Sequence, residues 1–210
     1  MTSYSAFPEG ATFTEETMQW RGRTPFTPFE VYRQVIDAIE NGIRHIIISD
    51  DFVHLEAVGI ALSFLNDFQI VSREELFIRL DLTMYKDIGV NGFLIKLRCA
   101  LYSLQLDYVN ILVAHLPLIF HSNSRRRQLT LFPARLIWSL MIIAIHRRKT
   151  IHIGISNWTR PYIYSIISMR TLRPHLAIFN VPDREAVRYC YRLRIPLCIN
   201  NQTQLIYLVY

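Results

Sequence analysis

The sequence predicts an α/β fold built on a parallel sheet, and three observations predict it. Short apolar runs rich in β-branched residues recur along the chain, such as Ile46-Ile47-Ile48 and Ile151 to Ile155. These runs are almost unbroken by polar residues, which marks strands buried on both faces. Segments of helical period alternate with them across short links, and repeated strand–helix units give parallel strands joined by right-handed crossovers. The 210 residues make one domain the natural expectation and suffice to bury a sizeable core. Hydrophobic residues make up 51% and charged ones only 19%, which argues against a disordered chain.

Residues 1–26 show no period and carry scattered turn formers. They read as an irregular N-terminal segment holding at most a short strand within Ala11 to Trp20. Residues 27–210 read as the folded domain. Thr27-Pro28-Phe29-Glu30 is a helix start: threonine caps, proline fits the first helical position, and glutamate stands three residues after the cap. Val31, Val35, Ile36 and Ile39 form one apolar stripe, and Asn41-Gly42 ends the helix. Arg44 to Ser49 reads as a strand and Leu55 to Leu65 as a helix. Leu76 to Leu80 follows as a strand and Gly92 to Leu104 as a helix. Next come a strand over Tyr108 to Ala114, a loop, and a helix over Pro133 to Arg147. Then come strand Ile151 to Ile155, helix Arg160 to Met169, strand Leu176 to Val181, helix Arg184 to Leu193 and strand Ile195 to Ile199. The helical run Leu136 to Ile145 is unusually apolar, which predicts either a wide buried face or a partner surface.

Net charge is +6 and the pI is near 9.4. Two basic clusters contribute, Arg125-Arg126-Arg127 and His146-Arg147-Arg148-Lys149. No nucleic-acid motif accompanies them, so they read as a solvated loop and the basic end of a helix, and no nucleic-acid partner is expected. Cys99, Cys190 and Cys198 form no CxxC pair, which fits buried or idle thiols in a reducing compartment. Met1 to Gly10 lacks the pattern of a secretory signal, and the apolar runs are too short to span a bilayer. A cytoplasmic location with no membrane contact is therefore expected. There is no Gly-rich phosphate loop, GxSxG elbow or HExxH, and His115 and His121 are a weak spacing for a metal, so none is expected.

Four segments carry a resemblance: Gly42-Ile43-Arg44-His45-Ile46, Arg73-Glu74-Glu75-Leu76-Phe77-Ile78, Leu104-Gln105-Leu106-Asp107-Tyr108-Val109 and Ile153-Gly154-Ile155-Ser156-Asn157-Trp158. With Trp138 and Met141 before the fourth, their order and spacing resemble the aldo-keto reductase family over about Val31 to Asn200. The resemblance implies a TIM-like (β/α) barrel. Only about six strands are clear, the first is doubtful, and eleven residues after Ile199 leave no room for the eighth, so the resemblance implies an incomplete, C-terminally truncated member. An unclosed barrel exposes strand edges, and self-association through them is expected.

In that family NADPH delivers hydride to a carbonyl, a tyrosine donates the proton, a lysine and an aspartate tune it, and a histidine orients the substrate. The aspartate position carries Ile47, the tyrosine position Phe52 and the lysine position Asp81. His115, two residues before Pro117, stands where the resemblance implies the catalytic histidine. Ser156 and Asn157 match the pair implied to contact the nicotinamide carboxamide, and also suit a strand-end turn. The family's glutamine is not evident around Ile178-Phe179-Asn180, Asn200 replaces the stacking aromatic, and Asn200-Asn201-Gln202-Thr203 replaces the diphosphate loop. NADP(H) is the cofactor implied, with weak or absent binding expected; a small carbonyl compound is the ligand implied. With three of four catalytic positions substituted, the expectation is a pseudoenzyme. The alternative is an active NADPH-dependent aldehyde or ketone reductase using rewired residues, with Asp50, Asp51, His54, Tyr85 or Lys86 as stand-ins. Asp81, without its lysine partner, should be solvated, newly paired or protonated.

Overall fold

The computed structural model describes residues 17–84, 89–116, 134–180, 183–201 and 204–208. Met1 to Gly10, Tyr85, Lys86, Pro117, His121, Arg125-Arg126-Arg127 and Gln202-Thr203, which the sequence reading singled out, lie outside the described residues.

Among the described residues seven parallel strands alternate with six α-helices. In chain order these are β1 (Thr17–Trp20), α1 (Pro28–Glu40), β2 (His45–Ser49), α2 (Leu55–Asp67), β3 (Phe77–Thr83), α3 (Val90–Ser103) and β4 (Val109–His115). The second half holds α4 (Ala134–His146), β5 (Thr150–Ser156), α5 (Arg160–Ile167), β6 (Leu176–Phe179), α6 (Arg184–Arg192) and β7 (Leu197–Asn201). An eighth strand, β8 (Gln204–Leu208), closes the list. The strands pair in sequence order, β1 to β8, as a curled incomplete barrel. No pairing among the described residues joins its two ends.

The short strand expected within Ala11 to Trp20 is present and is the sheet's first, which resolves the doubt about it: Thr17 to Trp20 pairs in parallel with His45 to Ile48. Four residues are too few to show a period, so the strand is defined by its partner. The eighth parallel strand is absent among the described residues, as expected; Gln204 to Leu208 instead pairs antiparallel to β7, with Asn201 opposite Gln204 and Leu197 opposite Leu208. Parallel pairing needs a crossover of a dozen or more residues, and a two-residue separation permits only a hairpin.

The helix start at Thr27 forms a capping box. Thr27 Oγ1 accepts from the Glu30 amide at 3.3 Å, and the Glu30 carboxylate accepts from the Thr27 amide at 2.7 Å. Gly59 is where α2 presses on the turn after α3; a Cβ there would stand 2.1 Å from the Ser103 carbonyl oxygen, so no side chain fits. Most of the apolar run in α4 is a wide buried face, with Ile137, Trp138, Leu140, Met141 and Ala144 inside and Leu136 and Ile143 exposed.

The motif residues that carried the resemblance are structural fasteners. Arg73 donates to the Tyr108 carbonyl and to Asn110 Oδ1, both at 3.0 Å, and its guanidinium lies 4.2 Å from the Tyr108 ring centroid. Asn110 Oδ1 also accepts from the Ile78 amide at 2.8 Å, which locks β3 to β4. Trp138 Nε1 donates to the Leu172 carbonyl and Trp158 Nε1 to the Ala114 carbonyl, each at 2.9 Å.

Cys190 and Cys198 are buried, and burial pushes the Cys190 thiol up to about 12 and raises Cys198 as well. Cys99 is exposed. A thiolate reagent at pH 8 should therefore titrate one group quickly in the native protein and three after unfolding. Two fast groups would mean that β7 or α6 opens readily.

Candidate active site

Period-2 alternation divides every strand between two faces. Ile46, Ile48, Ile78, Leu80, Leu82, Leu112, Ala114, Ile153 and Ile155 face the helices and form the large outer core. Phe77, Ile111, Val113, Leu176, Ile178 and Cys198 form a smaller inner cluster. The register assigns Arg79, Asp81, Thr83, His115 and Ser156 to the same inner face. Parallel barrels carry function at the carboxyl ends of their strands. Thr83, His115 and Ser156 stand side by side at that end, one step above Asp81.

Asp81 is newly paired, one of the three states expected of it. Its carboxylate accepts from Arg79 Nε at 2.6 Å and Arg79 Nη2 at 2.7 Å, a two-point clasp from the next inward residue on the same strand. Arg21, just past β1, donates to the same carboxylate at 2.5 Å. Asp81 and Arg79 are 1% and 6% exposed at the side chain, and Arg21 is 29% exposed. The lysine position thus holds an anion clamped between two guanidinium groups. The Arg79 half of this could have been read from the sequence, since residues two apart on a strand share a face. Arg21 gives no such local signal.

His115 Nδ1 lies 3.0 Å from Ser156 Oγ. Burial lowers the His115 pKa; Asp81 raises it, Arg21 and Arg79 lower it, and Asp51 raises it. The ring is therefore neutral near pH 7, with Nδ1 occupied by the serine. Asn157 takes the left-handed conformation (φ 58°) that ends β5. Its side chain accepts from the Asn180 amide at 2.9 Å and donates to the Leu116 carbonyl at 3.4 Å, tying the ends of β4, β5 and β6 together. Ser156 is fully buried and Asn157 is 3% exposed. Both side chains thus have hydrogen-bond partners within the fold. Asn180 contributes its backbone here, and the side chain of Asn200 is outside the description.

Of the proposed stand-ins, the described ones, Asp50, Asp51 and His54, are each hydrogen-bonded elsewhere, and Asp51 is near enough to His115 to raise its pKa. Asp50 accepts from the Thr83 amide at 2.7 Å and pairs with Lys96 on α3. Asp51 accepts from the Gly22 amide at 3.2 Å, and His54 Nε2 lies 2.9 Å from the Phe26 carbonyl oxygen. Phe52 packs in the outer core with its ring 6.0 Å from that of His54. It lines a cleft of about 510 Å³ with Asp50, His54, Lys96 and Cys99, between the β2–α2 turn and α3, away from the inner face. Among the described residues no group of three or more His, Cys, Asp or Glu could hold a metal, and no helix is long and apolar enough to cross a membrane.

No family model matches the chain. It is 28% identical over 145 residues to the NAD(P)H-dependent 6'-deoxychalcone synthase of Glycine max, covering 67% of this chain and 46% of that protein. It is 25% identical over 184 residues to glycerol 2-dehydrogenase (NADP(+)) of Hypocrea jecorina, covering 77% and 56%. The chain thus spans about half the length of the curated relatives it matches. Among solved structures, an aldo-keto reductase of Bombyx mori in complex with NADP superposes with a TM-score of 0.69 at 24% identity, over 92% of this chain and 64% of that one. The aldose reductase of Schistosoma japonicum gives 0.68 at 20% identity, over 87% and 64%. In sequence and in fold the chain is aldo-keto-reductase-like.

Proposed function

We propose that this aldo-keto-reductase-like chain has lost most carbonyl reductase activity and holds NADP(H) weakly or not at all. The observation that carries this reading is Asp81 with its two arginines at the position implied for lysine. A phenol with a pKa of about 10 becomes a useful acid only beside a positive charge, and a carboxylate in that place works against it. Loss of a placed proton donor typically removes about 10²- to 10⁴-fold in rate.

His115 is the residue we assign to any carbonyl contact that persists, through a donor N–H at Nε2 when Ser156 donates to Nδ1. Ser156 and Asn157 remain our candidates for any nicotinamide contact, and weak affinity follows because their present bonds must break first. Bound NADPH would supply hydride; the chain supplies no described phenol at the inner face to complete the reduction. Among the described residues the outer edges of β1 and β8 have no strand paired to them, which supports self-association, and size-exclusion mass on dilution would read it.

NADPH titration by fluorescence, followed by an aldehyde reduction assay, tests the reading. We expect no saturation in the low-micromolar range and no turnover. Turnover that disappears in His115→Ala would instead establish the alternative, an active reductase with rewired residues. An Ile47→Asp, Phe52→Tyr, Asp81→Lys variant is expected to stay inactive, because Phe52 faces the outer cleft.

A further inference from the structure

We propose that the outer face of α4, α5 and α6 docks single-stranded nucleic acid, with arginines on its phosphates and exposed tyrosine under its bases. This surface lies away from the barrel mouth and is independent of the cofactor reading.

Charge is divided unevenly along the chain. Residues 134–199 hold eleven arginines and lysines against two acids, Asp183 and Glu185. The whole chain carries +6, so the remainder is net negative. All eleven basic residues are exposed, and ten of them are arginine. The two acids offset little. Asp183 caps α6 by accepting from the Glu185 and Ala186 amides, and Glu185 pairs with Arg160 at 3.6 Å. Arg147, Arg148, Arg188, Arg192 and Arg194 make no ion pair among the described residues. Helix stability explains only part of this placement. It favours Arg192 in the last turn of α6. But α4, α5 and α6 also carry Arg135, Arg160 and Arg184 in their first turns, where a cation opposes the helix dipole. An uncompensated patch of one sign attracts a polyanion. The basic runs taken singly give no reason to expect nucleic acid; the fold adds the run at the end of α4 to the arginines of α5 and α6.

Geometry narrows the partner. Helix α4 packs on α5 and α5 on α6, all outside the curled sheet, so the face is convex. At the α5–α6 seam Arg160 lies 5.8 Å from the Tyr189 ring centroid. That ring is 6.4 Å from the ring of Tyr164, which is 63% exposed. A guanidinium fork matches phosphate oxygens at two points, and an exposed aromatic ring stacks on a base. An acidic peptide has no base to stack there. A flexible strand follows a convex face, whereas a flat bilayer meets it along one strip.

The test is fluorescence anisotropy of a labelled single-stranded oligouridylate mixed with the full chain at about 50 mM salt. Binding should saturate, and log affinity should fall against log salt with a slope of about −3, the value for four phosphates on a single strand. Arg188→Glu with Arg192→Glu should weaken binding at least about tenfold and flatten that slope. Arg33→Glu, at an exposed position on α1, should leave affinity within about twofold. Tyr164→Ala should weaken binding several-fold with the slope unchanged, which a surface acting by charge alone would not do. If the paired change on α6 lowers the melting temperature, Arg147→Glu, just past α4, should weaken binding and flatten the slope in its place. Absence of binding, equal affinity in the reversed variants, or an unaltered Tyr164→Ala would overturn the proposal. So would tighter binding to phosphatidylserine vesicles or to polyglutamate.

Discussion

Asp81→Asn is expected to destabilise the protein by about 3–5 kcal/mol, the usual cost of removing one partner from a buried ion pair. The substitution keeps the shape of the side chain and removes only the charge. Arg79, at 6% side-chain exposure, then remains on the inner face beside Ile47 and Ile111 with its clasped anion gone. Its guanidinium cannot reach water without displacing the inner cluster, because β3 lies between β2 and β4 in mid-sheet. Arg21 loses the same partner but is partly solvated, so its share of the cost is small. Urea unfolding at pH 7 would read the difference. The paired change Arg79→Met with Asp81→Leu should recover most of the loss, since replacing both members of a buried pair by apolar residues is often neutral. A cost under about 1 kcal/mol for Asp81→Asn would mean that Arg79 has an escape route to solvent or a second anion.

Stability should fall as pH drops below about 6.5, through the buried histidines. His45, on the inner face at the start of β2, is lowered from 6.5 to about 4 by burial and by Arg79. His152, at the start of β5, is lowered to about 4 by burial and by His175, whose ring centroid is 4.9 Å away. His175 and His115 are lowered too, burial being the largest cause in each. The sign is unambiguous. Each folded pKa lies below its unfolded value, so the unfolded chain takes up protons first as pH falls. The stabilisation is complete above about pH 6.5 and is lost between there and pH 4, where the folded His45 and His152 also protonate. A shift from 6.5 to about 4 corresponds to about 3 kcal/mol for His45, and to less for His152, whose ring is more open to water. Denaturant midpoints between pH 8 and pH 4 would show the loss, and His45→Gln should flatten the lower half of the curve. A profile flat down to pH 5 would sink the assignment of buried neutral imidazoles.

The legibility of this chain was uneven for physical reasons. The helix at Thr27 could be read because a capping box is a local device whose residues lie three apart. The strands β2 to β6 could be read because burial on both faces writes itself as unbroken apolar sequence. Strand β1 could be placed only loosely, within Ala11 to Trp20, since four residues gain their identity from β2. Strand β8 could not, because its antiparallel direction follows from the shortness of its connection rather than from its side chains. At the site, His115 and Ser156 were named separately, and the structure brings them to 3.0 Å. Asn157 was given two readings, and its bonds to Leu116 and Asn180 show its part in the strand-end turn. Phe52 kept its place in the register while its ring went to the outer layer.

By itself the sequence determined the alternation of strands and helices, the fasteners that hold them, and the substitutions at Ile47, Phe52 and Asp81. These are local or periodic properties, and each is written within a few residues. Only the tertiary structure decided that Asp81 lies between Arg79 and Arg21, sixty residues apart from the latter. A charge's fate depends on what stands within a few ångströms of it, and that distance is set by how the whole sheet curls.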